Sequence, residues 1–332
     1  MDPPPFTMPG AQLPKDHSWP PDDASLMETT ASGDPDLVSR TQIVAVPEPG
    51  DRLGPYIVEG TLGAGAMGVV YRAVDPDRQE QVAVKLIHRW RTDPHGESAE
   101  EDWLRHEAGA LARLSHSNVV AVLGVGTFDD RPFLAMELVE GQTLSDWLEQ
   151  RPRHWREIVP LLRDAARGLA AVHDANLIHG DFKPDNVMVG DDGQVRVMDF
   201  GLARSALAPE NRGLVQVDRR GVSRHQPIGT PAYMAPEQLA GRQAEARSDQ
   251  FACCVTLYEA LFSERPFPGR TPAELAYHVM RGERRPRPKK PVIPTWLYTT
   301  INRGLAVAGA ARWPSMTALA DALDRGLQDS QD

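Results

Sequence analysis

The chain has 332 residues, with 36 Lys and Arg against 46 Asp and Glu, a formal charge of −10. Length allows one large or two smaller domains, and a hydrophobic fraction of 41% excludes wholesale disorder. The charge is uneven: residues 1–50 carry −6 and the other 282 residues only −4, so the body lacks the basic footprint of a general nucleic-acid binder.

Residues 1–50 also hold 10 of the 29 prolines, including Pro3-Pro4-Pro5 and Pro20-Pro21, with no sustained helical or alternating pattern. Such a stretch cannot bury enough apolar surface to offset its ordering entropy, and it reads as a disordered tail. The two cysteines, Cys253 and Cys254, are adjacent, which excludes a disulfide framework and fits a reducing compartment. No stretch approaches 18 uninterrupted apolar residues, and the amino terminus lacks a basic-then-apolar signal. The expectation is a soluble, cytoplasmic protein without a membrane segment.

From Tyr56 the character changes. Three short β-branched or aromatic runs (Ile57, Val58, Leu62; Val69–Val74; Val82, Val84, Leu86) are separated by Gly63, Gly65, Gly68 and Asp75-Pro76, which predicts an antiparallel meander. Residues 98–113 predict a polar helix, followed by strands at 119–127 and 133–139. Past Gly141 the pattern turns helical: 143–149, 155–174, 248–262, 271–281, 294–305 and 315–327. A strand-rich front and a helix-rich remainder predict two lobes, joined near Glu137–Gly141.

Gly63-x-Gly65-x-x-Gly68 is a weak signal alone. It precedes a strand, whereas in a dinucleotide fold the glycines open a helix, and glycines at a hairpin tip let backbone amides approach phosphates. Lys85, within Val82-Ala83-Val84-Lys85, is a cation that could face phosphates, with Glu107 on the following helix as its natural carboxylate partner. More specific is His179-Gly180-Asp181-Phe182-Lys183-Pro184-Asp185-Asn186, between apolar Leu177-Ile178 and Val187-Met188-Val189. One tight loop thus carries a carboxylate to orient a hydroxyl, a cation for the transferred group and an amide oxygen for a metal, a set suited to phosphoryl transfer. Asp199-Phe200-Gly201 ends the next β-like stretch and adds a hard oxygen ligand suited to magnesium. Gly229-Thr230-Pro231-Ala232-Tyr233-Met234-Ala235-Pro236-Glu237 completes the series.

In this order, the motifs resemble those of eukaryotic-type (Hanks-type) Ser/Thr protein kinases over about residues 54–327, and the Gly-Ala-Gly-Ala-Met-Gly loop is similar to that of bacterial members. The resemblance implies an α+β, bilobal fold: a small antiparallel β-sheet lobe, about 54–138, and a larger helical lobe, about 142–327, with a short tail at 328–332. It implies ATP and magnesium, and protein substrates offering Ser or Thr. Leu62, Gly63, Gly65, Gly68, Val70 and Ala83 would surround the nucleotide. Lys85 would contact its phosphates and pair with Glu107. Met136 would guard the back of the pocket, with the backbone of Glu137 and Val139 against the adenine. Asp181 would orient the substrate hydroxyl, Lys183 would steady the γ-phosphate, and Asn186 and Asp199 would hold magnesium. Asp249 would accept catalytic-loop amides, Arg312 would pair with Glu237, and Thr230 would bridge to Asp181 and Lys183.

One departure is Gly180, where most regulated kinases have an arginine that neutralises an activation-segment phosphate. Phosphorylation-gated activation is thereby put in doubt, and the loop also looks like that of small-molecule phosphotransferases. Asp199-Phe200-Gly201 with the Ala235-Pro236-Glu237 string favours the protein kinase. A kinase-fold scaffold that binds without catalysis is the alternative, opposed by the presence of Lys85, Asp181, Asn186 and Asp199. The segment 202–228 carries +3, which raises contact with the acidic tail as a further expectation. The basic run Arg281–Lys290 reads as a solvated loop, Cys253 and Cys254 as core.

Overall fold

The computed structural model describes residues 46–65, 68–87, 109–129, 131–199, 204–205 and 230–330. Strands β1 (Arg52–Leu53), β2 (Tyr56–Gly65), β3 (Gly68–Asp75), β4 (Glu80–Ile87), β5 (Val122–Phe128) and β6 (Arg131–Glu137) form one antiparallel sheet in the order β1-β2-β3-β4-β6-β5. The predicted meander is therefore real through β4. There the chain departs, and β6, not β5, pairs with β4. The two later strands are displaced from their predicted spans by two or three residues at their starts. Val119 lies outside the sheet and forms a parallel bridge with Val197 instead.

Alternation along the strands sorts side chains onto two faces. Val82, Val84 and Leu86 of β4 join Leu53, Tyr56, Tyr71, Phe133 and Ala135 in one apolar cluster. Ala83, Leu134 and Met136 point the other way, into a second cluster with Val120 and the flanking Val70, Val139 and Met198. Lys85, two residues after Ala83, belongs to this second face, although it is only 5% exposed.

After a helical turn at Gly109–Leu111, and beyond the sheet, residues 138–140 lead to β7 (Gly141–Thr143) and a helical region. This comprises α1 (Leu144–Glu149), α2 (Trp155–Asp174), α3 (Pro236–Leu239), α4 (Ala246–Phe262), α5 (Pro272–Arg281), α6 (Thr295–Gly304) and α7 (Met316–Gln328). Short strands β8 (Leu177–Ile178), β9 (Val187–Gly190), β10 (Val195–Val197) and β11 (Arg204–Ser205) interrupt it, with β9 between β10 and β7 in a small sheet. His154 and Glu157 close a reciprocal cap at the start of α2. Its apolar stripe, including Ile158, Leu162, Ala165, Leu169 and Val172, faces the main core. Helix α4 is buried on nearly every side, Cys253 and Cys254 included, as befits a helix that is apolar around most of its circumference. Gly168 on α2 is forced by packing: a Cβ there would lie 2.3 Å from the Asn118 carbonyl. That close approach brings residues 118–120 against β10, where Val197 N–H donates to Asn118 and Val120 N–H donates to Val197.

Among the described residues, no helix is long and apolar enough to cross a membrane.

Candidate active site

The second face of the sheet gathers four residues that the sequence assigned to one pocket. Val70, Ala83, Met136 and Val139 meet in the same apolar cluster, since β4 pairs with both β3 and β6 and places Ala83 opposite Met136. Leu62 stands apart on β2, 43% exposed. The Glu137 N–H is already donated to the Ala121 carbonyl at 2.9 Å, so only its carbonyl could serve a bound base. Its side chain also works inside the protein: Oε1 accepts the Ala121 N–H at 3.0 Å and lies 3.5 Å from Arg196 Nε.

The three loop glycines differ. Gly68 lies where a Cβ would come within 2.2 Å of the Leu86 carbonyl oxygen, so strand packing itself demands glycine. At Gly63 and Gly65 a Cβ would meet nothing within 4 Å among the described residues, and neither has a left-handed φ. Their surroundings leave open room beside the backbone.

Lys85 reaches from the sheet to the Asp199 carboxylate, with which it forms a close ion pair. Burial pulls the Lys85 ammonium down to about 8, against the attraction of Asp181, while Lys183 pushes it lower. Glu107, the partner expected from the sequence, lies outside the described residues.

The catalytic-loop candidates converge. Asp181 Oδ1 accepts the Thr230 N–H at 2.9 Å, and Oδ2 lies 3.1 Å from Lys183 Nζ, which donates to Thr230 Oγ1 at 2.8 Å. A buried carboxylate is thus held between a backbone donor and an ammonium, as its charge requires. Asn186 Nδ2 donates to the Asp181 carbonyl at 2.8 Å. The Met198 N–H donates to the Asn186 carbonyl at 3.0 Å, which brings Asp199 next to Asn186. The Asn186 amide oxygen and the Asp199 carboxylate are hard oxygen donors, and they fit a divalent cation of the magnesium type. Asp199 itself has φ +69°, a conformation uncommon for a side-chain-bearing residue, though less so for aspartate.

Beneath the loop sits Asp249, 1% exposed, in the first turn of α4. Its two oxygens accept the N–H groups of His179 at 2.9 Å and Gly180 at 2.8 Å, and His173 Nε2 lies 2.8 Å from Oδ2. Burial works to raise this carboxyl's pKa. The hydrogen bonds from His173 and Gly180 outweigh it, and the group stays below the ordinary aspartate range. His179 is pushed down by burial and is neutral. Nε2–H faces the Met198 carbonyl at 3.0 Å while Nδ1 accepts the Asp181 N–H at 3.3 Å.

Further below, Arg312 (1% exposed) forms a two-pronged pair with Glu237, at 2.7 and 2.8 Å. Its remaining donors go to the carbonyls of Ala306, Arg247 and Val307, which uses all five guanidinium N–H groups. Ser248 Oγ donates to the same Glu237 at 2.7 Å.

Sequence reasoning missed three participants: His173, Arg196 and Gln238. Each acts through a partner distant in sequence or through a backbone atom. Only Gln238 had an adjacent signal, directly after Pro236-Glu237. Of the segment 202–228 only Arg204–Ser205 is described, and of the acidic tail only residues 46–50, so the contact that the charges suggested lies outside the described residues.

A sheet lobe and a helical lobe, meeting where Lys85 contacts Asp199 above an Asp181–Lys183–Asn186 loop, define a bilobal kinase fold. The chain belongs to the protein kinase domain family, which it matches over residues 56–319. It is 37% identical over 227 residues to the serine/threonine-protein kinase PknL of Mycobacterium tuberculosis, covering 67% of this chain and 53% of that protein. It is 34% identical over 279 residues to the serine/threonine-protein kinase pkn2 of Myxococcus xanthus, covering 81% and 32%. With the DNA damage-responsive serine/threonine-protein kinase RqkA of Deinococcus radiodurans the identity is 37% over 272 residues, covering 80% and 39%. The chain spans about half the length of these curated relatives, or less.

Proposed function

We propose that the chain is an active Ser/Thr protein kinase that transfers the γ-phosphate of ATP to protein hydroxyls, its own among them. The observation that carries this reading is the closed set Asp181–Lys183–Thr230, with Asn186 and Asp199 beside it. A buried carboxylate, a cation and two oxygen donors are what in-line phosphoryl transfer needs, since catalysis there is positioning and charge stabilisation. The names of the relatives support protein substrates over small molecules.

In this reading the adenine lies against Val70, Ala83, Met136 and Val139, with exposed Leu62 at the mouth. The backbone at Gly63 and Gly65 covers the phosphates, while Gly68 seats the turn. Lys85 moves between its Asp199 partner and the α- and β-phosphates, with Glu107 as its second carboxylate. Asp181 orients the acceptor hydroxyl and takes its proton as the oxygen attacks the γ-phosphorus and ADP leaves. Lys183 offsets charge on the transferred group. Asn186 and Asp199 would hold magnesium, which when bound neutralises phosphate charge. The buried, unpaired thiols of Cys253 and Cys254 are consistent with work in the cytoplasm.

The test is phosphate incorporation from ATP into a generic basic protein, beside an Asp181→Asn variant. Loss of the base is expected to lower the rate by about 10²-fold or more. Equal, near-background incorporation by both proteins sinks the enzyme reading and leaves a binding scaffold.

A further inference from the structure

Gly180 sits immediately before the proposed base, with φ +77°, a left-handed conformation that favours glycine. Position 180 therefore has no side chain to lock the backbone leading into Asp181. The peptide unit joining the two residues is held by partners outside it. Its N–H, from Asp181, donates to His179 Nδ1 at 3.3 Å, and its carbonyl, from Gly180, accepts Gln238 Nε2 at 3.1 Å. The first contact is long and local. The second reaches from α3 into the catalytic loop, across 58 positions of sequence. Gln238 is itself fixed, because its Oε1 accepts the Ala235 N–H at 3.0 Å.

We infer that Gln238 is a positioning residue for Asp181, clamping the Gly180–Asp181 peptide plane from α3. The inference rests on the kinase reading for its catalytic consequence, not for the clamp itself. A carboxylate at the end of an aspartate side chain moves by about 1 Å when the preceding peptide plane turns by about 20°, and displacements of that size slow positioned reactions severely. A small cavity of about 10 Å³ has Gly180, Gln238, Ser248 and Asp249 among its lining residues. A volume of that order admits about one water molecule. When the Gln238 donor is removed, water can satisfy the carbonyl without restoring the angle, so fidelity is lost more than stability.

Two variants separate the clamp from simple capping. Gln238→Glu retains an oxygen for the Ala235 N–H but removes the donor to Gly180. Gln238→Met removes both at similar length. The expected result is a fall of about tenfold in kcat for both, with KM for ATP within about twofold of wild type. Amides of the segment 177–187 should exchange with deuterium several-fold faster in both variants, while α2 and the body of α4 stay as in wild type. Gln238→Glu indistinguishable from wild type, with only Gln238→Met impaired, would assign the side chain to capping alone and overturn the proposal. Unchanged exchange over 177–187 in both variants overturns it too. An inactive wild-type protein would refute the kinase reading, and the exchange data would still decide the clamp.

Discussion

The base of the catalytic loop and the tip of the glycine hairpin hold their polar groups in opposite ways. At the base, Asp249, Glu237 and Arg312 spend their hydrogen-bonding capacity on other parts of the protein: two loop amides and a histidine for the first, five donors on carboxylate and carbonyl oxygens for the last. At the tip, Gly63 and Gly65 leave open room, with no atom of the described residues within 4 Å of an added Cβ. Closed networks of the first kind are sensitive to any deletion, because each removed partner strands another group in a low-dielectric interior. Room of the second kind is cheap to fill as far as folding goes, and its use has to be sought in a ligand.

The strongest way to break this contrast is Arg312→Leu. Removing one member of a buried ion pair leaves the Glu237 carboxylate with the Ser248 hydroxyl but without its counter-charge, and takes a donor from three carbonyls, so the expected loss is about 3–5 kcal/mol. Denaturant unfolding at neutral pH measures it. Arg312→Lys keeps the charge but not the fork, and should recover only part of the loss. A loss below about 1 kcal/mol for Arg312→Leu would mean that the base is not the closed network described.

Gly68→Ala tests the one hairpin glycine that belongs with the base in kind. Its Cβ would collide with the Leu86 backbone, so β3 must shift against β4. The expected cost is about 1–3 kcal/mol, typical of overpacking, and thermal unfolding reads it.

These examples mark how far the sequence was legible. The lobe pattern, the helices expected at 155–174 and 271–281 and the loop 179–186 were readable because periodicity and punctuation are local signals. The order of β5 and β6 was not, since pairing depends on where the chain goes after β4. Asp249 and Arg312 could be placed through resemblance alone: nothing in Ser248-Asp249 says that its carboxylate caps amides 69 and 70 positions away. His173 and Gln238 went unseen for the same reason, as their partners are a distant carboxylate and a backbone carbonyl. The three glycines read alike in sequence, and only the packing at Leu86 separates them.

Lys85 sits between the two regions, anchored on the sheet and paired with Asp199. Its pKa of about 8 in the folded protein is below the ordinary lysine value of 10.5. Between those limits the unfolded chain binds the proton and the folded one does not, so this group makes stability rise with pH across the window. The proposed phosphate contact needs the charged form, so ATP affinity should fall over the same range, approaching tenfold per pH unit above about 8. Nucleotide titrations from pH 7 to 9.5, with unfolding curves of wild type and Lys85→Met compared at each pH, read both trends. An affinity independent of pH would remove Lys85 from the phosphate site.

The smallest effect on folding is the most informative about the tip. Gly63→Ala and Gly65→Ala place a methyl in open space without a left-handed backbone to strain. Alanine also narrows the unfolded ensemble, and at compatible positions that stabilises by about 0.4–1 kcal/mol. The melting temperature should therefore stay level or rise slightly. KM for ATP should rise several-fold, because the same methyl would stand between the backbone amides and the phosphates. A rise in both quantities separates these two positions from Gly68, where stability falls first. If instead stability fell at all three, the open room would have a structural use within the hairpin, and the contrast between base and tip would be one of degree.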